Sequence, residues 1–143
     1  MGDLYEADVF EWSQHQARLL RQHAAGEARA DAPDWPNIID EIEAVGRGQL
    51  SRVRVALVRS LVLDLMCEAW PLSPQVPQWR ADARSQRGDA AEAFTPAMRA
   101  YIDMDALYHR ALAGLPDSYR DQPPLPLPVA CPASLDELLT GEP

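Results

Sequence analysis

Apolar residues recur along most of this chain at intervals of three and four, the spacing that lines up one side of a helix. Tyr5, Val9, Trp12, Leu19 and Leu20 follow it after a start in which Asp3 and Glu6 have capping-box character. Gly26 offers a stop, so a first helix is predicted over about 4 to 25. The polar, small-residue stretch to Pro33 reads as a loop. Asp34 can then cap a second helix, with Pro36 in the first turn, where a missing amide donor costs little.

That second helix dominates the pattern. Ile38, Ile42 and Val45 make one seam, and eleven of the seventeen residues from Leu50 to Met66 are apolar. A helix apolar nearly all round belongs in the middle of a fold. Arg52, Arg54, Arg59 and Asp64 make it a poor membrane span, since crossing a bilayer takes about 20 residues with few charges. Gly46 and Gly48 each lower helix propensity by about 1 kcal/mol relative to Ala, so a bend or short break is expected there. The helix must end near Ala69, because Pro71, Pro74 and Pro77 follow.

A third helix is predicted over about 78 to 93. Thr95 and Pro96 open a fourth that Gly114 and Pro116 close, with Met98, Tyr101, Ile102, Leu107, Tyr108 and Leu112 facing inward. From about 115 to 133 prolines are dense, and the segment reads as an extended tail anchored by Leu125 and Leu127. Ser134 and Glu137 form another capping box, starting a short last helix. No sustained alternation of strand type occurs. The expectation is one all-α domain over 1–143: about four main helices around a long central one, plus a short C-terminal helix.

Composition sharpens this picture. With 143 residues, 47% of them hydrophobic and 24% charged, the chain can bury a substantial core. The formal charge of −9 is unevenly spread: residues 1 to 45 carry −7, residues 46 to 87 carry +4, and residues 88 to 143 carry −6. A basic middle between acidic flanks fits helices that pair with one another. It argues against nucleic acid as a partner, which favours a clearly basic domain. All thirteen basic residues are Arg, a bias pointing to a GC-rich bacterial genome. Cys67 and Cys131 stand far apart and outside any Cys/His cluster, so free thiols are expected rather than a disulfide or zinc site. No basic and apolar leader pattern is visible in the first residues, and the cytoplasm is the expected compartment.

Candidate chemistry is sparse. Asp40, Glu41 and Glu43 are the sharpest cluster, since grouped carboxylates can hold a divalent cation or divide acid and base roles. Acids early in a helix are also favoured by its macrodipole, and Glu43 can pair with Arg47 one turn on. A solvated or ion-paired face is the preferred reading, with a metal-assisted hydrolase or nuclease, Arg87 stabilising anionic charge, as the alternative. Glu11 with His15, His23 with Glu27 and Asp105 with His109 are each one turn apart, a spacing typical of surface ion pairs. Arg80, Arg84 and Arg87 form one stripe of the third helix and are the candidate anion-binding residues, for nucleic acid or an antitoxin-like role. The phosphate-loop, dinucleotide, nucleophile-elbow and zincin motifs are missing, and no cofactor is expected.

Tyr5, Trp12, Gln16 to Leu20, the run Asp34 to Arg47, Ser85 to Arg87, Gly114 to Pro116 and the stretch from Cys131 to Leu139 together resemble the bacterial family known as domain of unknown function 29, over nearly the full length. The resemblance implies an all-helical bacterial protein without an assigned activity. It also implies that Trp12, Gln16, Asn37, Glu41, Glu43, Gly46, Arg47, Trp79, Gln86 and Arg87 occupy recurring motif positions. The chain departs from the pattern after Leu61: where relatives read His-Leu-Leu-Lys-Trp, it carries Asp64, Leu65, Met66, Cys67, Glu68, Ala69 and Trp70. Any histidine-dependent activity of the family is therefore not expected here.

The polar motif positions suggest a network of Gln16, Asn37, Glu41, Glu43, Arg47, Gln86 and Arg87, in which buried charges are paired between helices. The functional expectation is an interaction or assembly module whose partner is a second copy of itself or another protein, with no membrane. Self-association would use apolar surface left over on the central helix.

Overall fold

A computed structural model describes residues 2–7, 9–27 and 31–141, without the side chains of 2–3 and 9–14. The described residues form six α-helices and no named strand: α1 (Gly2–Ala7), α2 (Val9–Ala24), α3 (Trp35–Ala69), α4 (Val76–Ala93), α5 (Met104–Ala113) and α6 (Leu135–Thr140), with a 3-10 helix over Pro96–Tyr101. The all-α architecture with a long central helix stands as expected. None of these helices is long and apolar enough to cross a membrane. The chain divides into two compact units, Met1–Arg47 and Gly48–Pro143.

In the first unit the helix expected over about 4 to 25 is described as α1 and α2; Asp8 between them lies outside the described residues, as do the side chains of Asp3, Glu11 and Trp12. Gly26, at φ +73°, ends α2 by adopting the left-handed conformation that glycine tolerates best. Leu19, Gln16 and Ile38 are buried. Ile42 and Val45, predicted to continue the seam of Ile38, are instead 67% and 65% exposed. Val45 lies on nearly the same side of the helix as Ile38 but roughly 10 Å further along its axis. Among the described residues, hydrogen bonds from α1 and α2 meet this segment at Asp34 and Glu41. Periodicity correctly gave an apolar helix face; the cover stops short of its end.

Helical bonding runs through Gly46 and Gly48, so no break occurs where their low propensity allowed one. In the second unit α3 is the core. Val53, Ala56, Leu57, Leu61 and Leu65 are buried and pack with Ala90 of α4, Leu107, Tyr108 and Ala111 of α5, and Leu135 and Leu138 of α6. Ser60, fully buried among them, satisfies its hydroxyl on the Leu57 carbonyl at 2.8 Å. A second cluster of Ala69, Trp70, Val76 and Trp79 closes the helix's far end.

The predicted fourth helix is two elements. Ile102 is extended, and the Asp103 side chain accepts a hydrogen bond from the Ala106 amide at 3.2 Å. Asp103 thus starts α5 afresh as an N-cap, which ends the first element despite the apolar pattern running through both. The capping box at Ser134 and Glu137 forms as predicted.

The proline-rich tail is held mainly through its backbone. The Trp70 indole donates to the Gln122 carbonyl at 3.0 Å, the Leu125 amide donates to the Ala69 carbonyl at 3.0 Å, and the Tyr108 hydroxyl donates to the Pro128 carbonyl at 2.6 Å. Leu127 packs against both clusters, as an anchor should. The Leu125 side chain, the other expected anchor, is exposed, because this residue is tied down by its N–H instead.

Candidate interaction surface

The start of α3 is built by polar groups whose identities the helix terminus requires. The Asp34 amide donates to Gln16 Oε1 at 2.7 Å, and the Asp34 carboxylate accepts from the Asn37 side chain at 2.7 Å and, at a long 3.5 Å, from its amide. This carboxylate sits where the helix exposes unpaired amides and the positive end of its dipole. Gln16 Nε2 and His15 Nδ1 are buried with no partner among the described residues.

One turn further on, the Tyr5 hydroxyl donates to Glu41 Oε1 at 2.5 Å. That bond raises the tyrosine pKa above 10, with desolvation and the nearby charges of Glu41 and Asp40 adding to it. Glu43 pairs with Arg47 at 3.7 Å with both side chains largely in water. A pair so exposed contributes about 0.3–0.5 kcal/mol. Of the expected polar network, Gln16 and Asn37 therefore serve the helix cap through Asp34, Glu41 is bound to Tyr5, and Glu43 and Arg47 bind each other. Asp40, Glu41 and Glu43 do not form a group fit to hold a metal, and no such group of His, Cys, Asp or Glu occurs among the described residues.

Along the same segment Trp35, Ile39, Ile42 and Val45 are 44%, 52%, 67% and 65% exposed. Their spacing of four, three and three residues aligns them as one apolar row. The His23 and Trp35 rings meet edge-to-face, their centres 5.7 Å apart, at the start of the row. Large apolar side chains scattered singly over a surface are ordinary, whereas a contiguous row is the mark of a surface that is covered by something.

In the second unit Arg87 binds Asp64 at 3.0 Å, with the guanidinium the more buried partner. Burial raises the Asp64 pKa above 3.8, against the opposing pull of Arg87. Arg80 lines a cleft of about 360 Å³ together with Asp64, Cys67, Glu68 and Tyr108. Burial, with Asp64 and Glu68 reinforcing it, raises the Cys67 thiol pKa, and Arg80 only partly offsets this. The thiol is thus held away from its nucleophilic form. Two of the three candidate anion-binding arginines thus have carboxylates close at hand, while Arg84 is exposed. Gln86 is half-buried beside Val58, Arg59 and Val62. The Asp64–Arg87 pair was missed from sequence, although a lone acid inside an apolar run was a signal that a partner must exist.

None of the curated proteins compared with the chain matches it. A crystal structure of an alpha-helical protein of unknown function from Rhodospirillum rubrum ATCC 11170 is similar to it, with 25% sequence identity over 94% of this chain and 88% of that one and a TM-score of 0.62. The family model described as domain of unknown function DUF29 matches residues 4–142, and the chain belongs to that family.

Proposed function

We propose that this protein is an interaction module that associates with a second copy of itself through the row Trp35, Ile39, Ile42 and Val45. The exposure of these four residues on one stripe carries the reading. A symmetric pair of copies buries the same patch twice, so one self-complementary row suffices. The two free cysteines fit the reducing interior of a bacterial cell.

The test is sedimentation of the wild-type chain and of Ile42→Arg across a range of concentrations. The wild type is expected to dimerise and the variant to sediment as a folded monomer, with helical content unchanged because position 42 is in water. A wild-type chain that stays monomeric at high micromolar concentration would falsify the proposal.

A further inference from the structure

A second surface, in the other unit and independent of the self-association row, has the construction of a small-molecule site. Where α3 ends, Pro71 and Pro74 turn the chain away and leave a cleft of about 370 Å³ facing the segment around Tyr119. Sites for small ligands run from roughly 300 to 1,000 Å³, so this cleft suits a small molecule rather than a helix or strand of another protein. Its walls are apolar and stiff: Trp70 and the prolines have little freedom to collapse inward. At its rim Leu72 is 98% exposed, an apolar side chain that no part of the described chain covers.

The opposite wall is a turn under strain. Tyr119 and Gln122 exchange two backbone hydrogen bonds of 3.0 Å, and between them Arg120 and Asp121 have φ of +50° and +62°. Such a turn is ordinarily made by Asn-Gly, because side chains other than glycine are disfavoured in the left-handed region. The chain places an arginine there and holds the turn in place by the Trp70 indole bond to Gln122 and by the contacts of the Tyr119 ring with Trp70 and Trp79. Local strain of this kind clusters at functional sites. Arg120 reaches back over the Tyr119 ring, 5.6 Å from its centre. It is also the one charged residue lining the cleft. In a protein of net charge −9, this exposed guanidinium at the cleft's edge, with Asp121 its neighbour in the turn, is the group on the cleft that can take an anion.

We infer that this cleft binds a small apolar carboxylate, with the hydrocarbon lying against Trp70, Pro71, Leu72 and Leu125 and the carboxylate on the Arg120 guanidinium. Decanoate is the probe, titrated into the full chain while the indole N–H signal of Trp70 is followed by NMR. A saturable shift is expected, with decan-1-ol and the Arg120→Gln variant each binding at least tenfold more weakly. Leu72→Asp, at a fully exposed position that the fold does not use, is expected to abolish the shift. Arg120→Gly separates function from structure: it relieves the positive φ, so the melting temperature is expected to rise while decanoate affinity falls. No saturable shift, decan-1-ol binding as tightly as decanoate, or unchanged affinity in Arg120→Gln each overturns the inference. Because neither Arg120 nor Leu72 is in the self-association row, a negative result here leaves the proposed dimer untouched.

Discussion

Arg87 Nη1 lies 3.0 Å from one carboxylate oxygen of Asp64 and 3.2 Å from the other, so a single guanidinium nitrogen serves both acceptors. Burial still outweighs this attraction, and the Asp64 pKa is raised rather than lowered. The folded state therefore holds the Asp64 proton more tightly than the unfolded one. The stability that follows is fully present below pH 3.8 and is lost as pH rises through the raised folded value. Removing the positive partner with Arg87→Gln should cost about 1 kcal/mol at pH 7, a value kept low because Asp64 is partly in water, and little at pH 3. Denaturant melts of both chains at the two pH values check this, and an equal loss at both would show that the guanidinium acts through packing alone.

Tyrosine titration provides a second check. Tyr5 and Tyr108 are both held protonated above pH 10, Tyr5 chiefly by its hydrogen bond to Glu41 and Tyr108 chiefly by burial. Ultraviolet difference titration should show both ionising late. Glu41→Gln should bring Tyr5 toward its ordinary range and leave Tyr108 where it is. If both move together, the two hydroxyls are not governed by separate causes.

Tyr108→Phe removes only the hydroxyl that donates to Pro128. The ring stays in the core and water can reach the exposed Pro128, so the loss should be about 1 kcal/mol, the net worth of one hydrogen bond. Limited proteolysis should then cut the tail between α5 and α6 sooner than in the wild type, with the helices cut no faster.

Asp103→Ala should cost about 1 kcal/mol through loss of the α5 cap, and Ser134→Ala a similar amount through loss of the capping box. The double variant should show the sum in urea denaturation, since the two caps share no side-chain hydrogen bond.

Signals confined to a few neighbouring residues were readable in advance. Asp34 and Pro36 marked the start of α3, the prolines after Trp70 marked its end, and Ser134 with Glu137 marked α6, because each is a demand of the helix terminus itself. The division at Ile102 was hidden because Asp103 competes as a cap inside an apolar pattern that continues to Leu112. The exposure of Ile42 and Val45 was hidden for another reason: periodicity reports which side of a helix is apolar and is silent on what lies against it. Of the candidate polar residues, Glu43 with Arg47 was legible as a pair one turn apart. Tyr5 with Glu41 and Asp64 with Arg87 join distant parts of the chain, and no local spacing encodes them.

The bond from the Trp70 indole to Gln122 spans 52 residues, and the neighbouring Ala69 carbonyl is likewise met by Leu125. The final turn of the central helix thus stays incomplete until a stretch translated after α4 and α5 arrives to finish it. Contacts that distant in the chain form late and slowly. A nascent chain halted before Gln122 should therefore leave that helix end frayed on the ribosome, open to chaperones at the point where the cleft later forms.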